Sequence, residues 1–266
     1  NAAPPDVFVP GNHEFDFGVE NFHKRLREAK FPFYAANIRQ ADGSAVPGIR
    51  DHDVMQKGEF KIGIFGVALP YTPQLSSSGD LKFLPTMDTV RAQAKLLRDR
   101  GADLIVCVAH TDRADDLAIV NSRLVDVLLT GHDHDLAVTY DEKVVMVESS
   151  EEARYVTAVD MALTAVTAGN TRTVSWSPSF RIIDSRSVTP DPETLALVKK
   201  YEAELSRELD VEIGSTAVAL DSRSATVRGG EAAMGNLIAD ALKAVTGADV
   251  AITNGGGIRG NKEYTA

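Results

Sequence analysis

Three short apolar runs, each broken by residues that can bind a metal or move a proton, constrain this chain more than any other feature. Residues 6–9 lead into Gly11-Asn12-His13-Glu14-Phe15-Asp16-Phe17-Gly18, residues 104–109 into His110, and residues 125–130 into Gly131-His132-Asp133-His134. The second and third runs are bulky and β-branched, as buried strands are. The first is read as a strand too, with Gly11 permitting a sharp turn at its end. In open α/β sheets, ligands bind at the edge formed by the carboxyl ends of the strands. Asn12, His110, His132 and His134 are therefore expected to converge there, although about 120 residues separate the first from the last. A cluster of imidazoles with an amide oxygen predicts a metal site.

The intervening segments supply the layers such a sheet needs. Residues 19–30 place Phe22, Leu26 and Ala29 at helical spacing, with Pro32 ending the helix. Residues 61–68 read as a strand, 70–79 as a Pro- and Ser-rich loop, and 88–100 as a helix stopping at Gly101. After Lys143 the period shortens, and 144–147, 155–163 and 173–183 read as strands of a meander. Asp191 and Pro192 can start a helix over 191–209 with Leu195, Val198, Leu205 and Leu209 on one face. A helix over 231–247, a strand over 249–253 and a Gly-rich loop follow.

A net charge of -10 argues against extended nucleic acid as a partner, because binding a phosphate backbone over a wide face needs a basic patch. No apolar run is long enough for a membrane span, and no signal peptide opens the sequence. Cys107, the one cysteine, lies within an apolar run and reads as core.

The turn at residues 11–18, a strand-terminal His110 and the Gly131-His132-Asp133-His134 series resemble the metallophosphoesterase (calcineurin-like) superfamily. A second pair is similar to the carboxyl-terminal domain of its 5'-nucleotidase branch: Arg228-Gly229-Gly230-Glu231-Ala232-Ala233-Met234-Gly235-Asn236-Leu237, then Asn254-Gly255-Gly256-Gly257-Ile258-Arg259. The resemblance implies an α/β fold. An αββα sandwich would occupy 1–187, a linker helix 188–210, and part of the 5'-nucleotidase substrate-binding α/β domain 211–266.

The resemblance also implies an activity, namely metal-dependent hydrolysis of a nucleoside 5'-monophosphate to nucleoside and phosphate, in line at two divalent ions of Zn, Mn, Co or Mg. Asn12, His110 and His132 would bind one ion and His134 the other. His13 would contact the phosphoryl group, with Asp16 holding its ring; Asp16 as a local turn cap is the alternative. Arg228, Asn254, Gly256, Gly257 and Arg259 would bind the substrate. Other readings within the family are a 2',3'-cyclic nucleotide phosphodiesterase, a nucleotide-sugar hydrolase or, more remotely, a hydrolase of sulfur compounds. Location in the periplasm or outside the cell is implied as well.

Taken singly, a strand-end histidine can simply hydrogen-bond a loop carbonyl, and a Gly-rich loop is most often only a turn. Asp133 and Asp135 either orient the paired histidines or lie solvated. Glu14 receives no role, and His23 and His52 read as surface residues. The family's Asp-x-His and Gly-Asp motifs, which precede its Gly-Asn-His-Glu turn, do not occur in these 266 residues. The sequence is accordingly read as cut at both ends, and the isolated chain as a poor hydrolase holding at most part of its metal. A non-catalytic binding module is the competing class. Loss of sheet strands would leave apolar edges that favour a homo-oligomer.

Overall fold

The structure is a computed structural model that describes residues 1–169, 171–209, 212 and 214–265. It is a mixed α/β fold in two compact units, residues 1–190 and 191–266.

Six strands form the main sheet of the first unit: β1 (His52–Lys57), β2 (Phe60–Val67), β3 (Leu104–Ala109), β4 (Val127–Thr130), β5 (Leu136–Tyr140) and β6 (Val145–Ser149). Their order is β1-β2-β3-β4-β6-β5. The four central strands are parallel, and an antiparallel strand closes each edge. Register decides where the site lies. Val67 pairs with Ala109, and Val108 pairs with Leu129. His110 and Gly131 consequently leave adjacent strands at the same level, as the carboxyl-edge rule requires.

The longer helices of this unit are α1 (Val19–Glu28), α2 (Thr86–Asp99) and α3 (Arg113–Ser122). Val90, Ala94 and Leu97 of α2 and Ile119 of α3 pack on Phe65, Ile105, Cys107 and Leu128 of the sheet. Burying each Val, Leu, Ile or Phe side chain among these contributes roughly 1.5–3 kcal/mol. Leu104, Val127, Val145 and Val147 point to the opposite face, where a long hairpin of β7 (Tyr155–Ala168) and β8 (Thr171–Asp184) covers them with Met161, Leu163, Trp176 and Phe180. Near the amino terminus, Phe15, Phe22, Phe33 and Ile38 form a separate cluster beneath α1.

The second unit begins with α4 (Pro192–Leu209), where the Asp191 carboxylate accepts a hydrogen bond from the Thr194 backbone N–H at 2.8 Å. It also contains α5 (Ala233–Thr246), which ends at Gly247 with φ 67°. The side chain of Leu209, read as part of the apolar face of α4, lies outside the described residues. Among the described residues no helix is long and apolar enough to cross a membrane.

Several expectations are corrected. Residues 6–9 form no strand; Phe8 makes one isolated bridge to Phe33, and Pro10 has no N–H with which to extend a ladder. Residues 249–253 form no strand either, and Val250 and Ile252 stay 73% and 90% exposed. All three strands of the expected meander form, but the first, β6, joins the main sheet in parallel, and the other two make one hairpin with strands of 14 residues each. Within the 70–79 loop, Thr72–Leu75 is helical. The mixed sequence HDVMQK of β1 carries no strand signal, because it belongs to a half-covered edge.

Candidate active site

His110 follows β3 directly, and burial pushes its imidazole down to about 4, with His132, His13 and His134 adding repulsion against a charged form. A ring kept neutral has a lone pair to offer. Its Nε2 lies 3.1 Å from Asn12 Oδ1, and its ring centroid is 5.0 Å from that of His132, edge to face. Asn12 opens a 3-10 turn, Asn12–Phe15, and is itself buried.

Gly11 has an extended φ of -88°, so its missing side chain matters for space rather than for turning. A Cβ there would lie 2.7 Å from His110 Cε1. Gly11→Ala should therefore displace the His110 ring and lower stability by about 1–3 kcal/mol, the usual cost of overpacking. Denaturant melts of the isolated chain check this, and an unchanged midpoint would show that the ring can move aside freely.

His13 and Asp16 are both solvent-accessible, and His13 Nδ1 lies 2.7 Å from Asp16 Oδ2. The other carboxylate oxygen accepts a hydrogen bond from Ser76 Oγ at 2.5 Å. Asp16 is thus held from a segment 60 residues away, a contact no sequence motif announced. Glu14 accepts the Gly11 N–H through Oε2 at 2.6 Å, and burial raises its pKa.

The loop after β4 carries backbone strain. His132 has φ 111° and His134 φ 66°, both in the left-handed region that non-glycine residues avoid. Each such residue costs on the order of 1–3 kcal/mol and persists where its surroundings over-determine it. The Tyr71 ring meets His132 edge-on at 6.4 Å, while its hydroxyl donates to Asp112 Oδ2 at 2.9 Å. His134 Nδ1 pairs with Glu151 Oε2 at 2.7 Å.

Asp133 and Asp135, the two acids flanking His134, both face Arg113, with Nε 4.0 Å from Asp133 Oδ2 and Nη2 2.9 Å from Asp135 Oδ2. The same guanidinium meets Asp116 at 3.4 Å and bonds Glu148. Asp116, Asp133 and Glu148 bring one carboxylate oxygen each within 4.8 Å of the others, a group that could hold a metal ion. Arg113 already supplies a cation to all three carboxylates, so an added ion would have to compete with it. Burial pushes Asp116 up to about 6, against the threonine hydroxyls and the Arg113 charge that favour its ionised form.

The donor set of Asn12, His110 and His132 combines an amide oxygen with imidazole nitrogens and fits a first-row transition ion by its chemistry. Among the described residues no group of three His, Cys, Asp or Glu ligands that includes a histidine closes to within 4.8 Å.

In the second unit, the loop at residues 254–259 packs against the segment preceding Arg228. A Cβ on Gly255 would lie 2.0 Å from Val227 O, so this glycine permits the close approach. Asn254 Oδ1 accepts the Gly256 N–H at 3.0 Å, and Arg259 Nε donates to Gly256 O at 2.8 Å. Gly256 and Gly257 belong to a short 3-10 turn, Gly255–Gly257. A cavity of about 220 Å³ opens beside it, lined by Val227, Glu231, Asn236, Thr253, Gly255 and Ile258 among others. Arg228 and Arg259 are exposed. Cys107 is fully buried, and burial raises its thiol pKa, as suits a core residue. His52, read as a surface residue, is half-buried, with Nδ1 2.8 Å from Gln93 Oε1 and Nε2 2.6 Å from Arg100 Nη1.

Comparison with known proteins places these geometries in context. Residues 1–136 match the family model for calcineurin-like phosphoesterases, and residues 212–265 that for the 5'-nucleotidase C-terminal domain. Human 5'-nucleotidase is 29% identical over 290 residues, an alignment covering 97% of this chain and 50% of the human protein. The fold is similar to that of a 5'-nucleotidase precursor from Thermus thermophilus, with TM-score 0.72, 23% identity, and coverage of 90% of this chain and 51% of that one. It is similar also to a sulfate thiohydrolase from the same organism, with TM-score 0.73, 20% identity, and coverage of 91% and 44%. The chain spans about half the length of the curated relatives it matches.

Proposed function

Because the chain belongs to the calcineurin-like phosphoesterase family, a metal-dependent family of hydrolases, we propose that the full-length protein is a 5'-nucleotidase that cleaves nucleoside 5'-monophosphates to nucleoside and phosphate. The observation carrying this reading is the contact of Asn12 with His110, beside the His132 ring, at the carboxyl edge of the sheet. When bound, two divalent ions of Zn, Mn, Co or Mg would supply Lewis acidity and a water of lowered pKa for in-line displacement at phosphorus.

The chain's own residues have distinct tasks. Asn12 Oδ1 and the imidazoles of His110 and His132 would hold one ion, and His134 would serve the other. Asp16 fixes the His13 ring through Nδ1, leaving Nε2 for the phosphoryl group as charge develops on it. The exposure of His13 lets a substrate reach it. In the second unit, Arg228, Asn254, Gly256, Gly257 and Arg259 are the proposed substrate-binding residues. Location in the periplasm or outside the cell belongs to the same proposal.

Arg259 provides a separate test. Its Nε is tied to the loop, and its planar fork presents two Nη groups. A lysine has neither the tether nor the fork. Arg259→Lys in the full-length protein should raise KM for a nucleoside monophosphate roughly ten- to hundredfold, because charge-assisted hydrogen bonds are worth about 1.5–3 kcal/mol. Steady-state kinetics read this, and unchanged KM and kcat would return Arg259 to a purely structural loop role.

The activity itself is tested by phosphate release from a panel of nucleoside 5'-monophosphates, 2',3'-cyclic nucleotides and nucleotide sugars, with Mn, Zn or Co supplied. Preference for the 5'-monophosphates is expected. Turnover confined to the cyclic nucleotides or nucleotide sugars would replace the 5'-nucleotidase reading, and no turnover of any would favour a binding module.

A further inference from the structure

We propose that Asp116 and Arg113 are positioning residues that lock the histidine-bearing loops of the candidate site into one frame; this rests on the metal-site reading above. Asp116 lies in the first turn of α3 and is fully buried. Its Oδ1 accepts two hydrogen bonds, from Thr111 Oγ1 at 2.7 Å and from Thr130 Oγ1 at 2.8 Å. Thr111 is the residue after His110, and Thr130 stands two before His132. One carboxylate oxygen therefore joins the ends of β3 and β4, the two strands that deliver those histidines.

Oδ2 of Asp116 faces Arg113, which carries the connection onward. The guanidinium meets Asp133 and Asp135, on either side of His134, and bonds Glu148 at the end of β6. Glu148 is 1% exposed, and its Oε1 has no hydrogen-bond partner among the described residues. A buried carboxylate with one unsatisfied oxygen depends strongly on its cationic neighbour, and so ties Arg113 to the sheet. Asp112 caps α3 through the Asp115 N–H at 2.9 Å and also accepts from Tyr71, so the base from which Arg113 and Asp116 reach is itself fixed.

Position distinguishes this cluster from an ordinary surface ion-pair network. Four of the residues it holds, Thr111, Thr130, Asp133 and Asp135, lie one or two positions from a histidine of the site. The frame also accounts for how His132 and His134 keep left-handed backbone conformations without glycine. Groups that orient metal-binding histidines from behind commonly change metal affinity by 10–100-fold when removed.

The test uses the full-length protein, with Asp116→Ala, Arg113→Lys and Thr130→Val compared with His132→Ala. Mn²⁺ affinity is measured by equilibrium dialysis, and the visible absorption of bound Co²⁺ reports ligand geometry, with thermal unfolding as the control for fold. The expected result is a cooperative melt, Mn²⁺ affinity lower by roughly ten- to hundredfold, and an altered Co²⁺ spectrum in the positioning variants. Thr130→Val keeps the side chain's size and removes only the hydroxyl, so it carries the same expectation if Asp116→Ala fails to fold. Wild-type affinity and spectrum in the folded positioning variants, alongside lost binding in His132→Ala, would overturn this proposal alone. Unchanged metal binding in His132→Ala would overturn the site reading and this proposal with it.

Discussion

In the full-length protein, His132→Ala should lower phosphate release from a nucleoside monophosphate by about a thousandfold or more, because a metal ligand fixes the position and acidity of the nucleophile's source. The structure explains why the effect should fall on chemistry and leave the fold intact. β4 ends at Thr130, and its apolar residues Val127 and Leu128 hold the strand without help from the His132 side chain. Alanine would keep the same backbone conformation with the same strain. What disappears is the ring whose centroid lies 5.0 Å from that of His110, one of the three proposed donors to the ion. Circular dichroism and a denaturant melt should match the parent while metal stoichiometry falls. Activity within about tenfold of the parent under metal-saturating conditions would remove His132 from the site.

The strands that deliver the site were legible because their burial on both faces leaves nearly continuous apolar runs, as in residues 104–109. Register followed from topology rather than from any single residue, yet it placed His110 and Gly131 level as an all-parallel centre demands. Edge elements were not legible. β1 is mixed in character because only part of it is covered, while the run at 249–253 is apolar yet finds no partner strand among the described residues. The resemblance, rather than spacing alone, implied Asp16 as the holder of His13, and the two side chains meet at 2.7 Å. Nothing in either pointed to Ser76, Tyr71, Arg113 or Asp116. Their contacts are made between segments brought together only by the folded sheet, and Ser, Tyr and acid–base pairs on loops and helix starts carry no periodic signal. Asp133 and Asp135, left open between solvation and support, face a guanidinium supplied from another element.

The isolated 266-residue chain, assayed without further sequence, should release phosphate from nucleotides slowly or not at all. A pair of divalent ions, if bound here, would call on carboxylates as well as imidazoles to hold them. Acids that touch the candidate histidines or flank them in sequence are already engaged. Asp16 is shared between His13 and Ser76, and Asp112 between the start of α3 and Tyr71. Glu151 pairs with His134, and Asp133 and Asp135 face Arg113. Among the described residues, no histidine joins two other His, Cys, Asp or Glu ligands within 4.8 Å. Asn12, His110 and His132, if they are the ligands proposed above, would hold one ion only weakly, because one carboxamide and two imidazoles bring no negative charge to it. His134, its Nδ1 bound to Glu151, offers only Nε2 to a second, and one imidazole does not fix coordination geometry. Phosphate release with Mn, Zn or Co added, together with elemental analysis of the purified chain, measures both halves of the expectation. At most one ion per chain and negligible turnover should be found. Two ions per chain with robust turnover would mean that one of these engaged carboxylates leaves its partner to help hold a metal, and the release of His134 by Glu151 would then be the first rearrangement to seek.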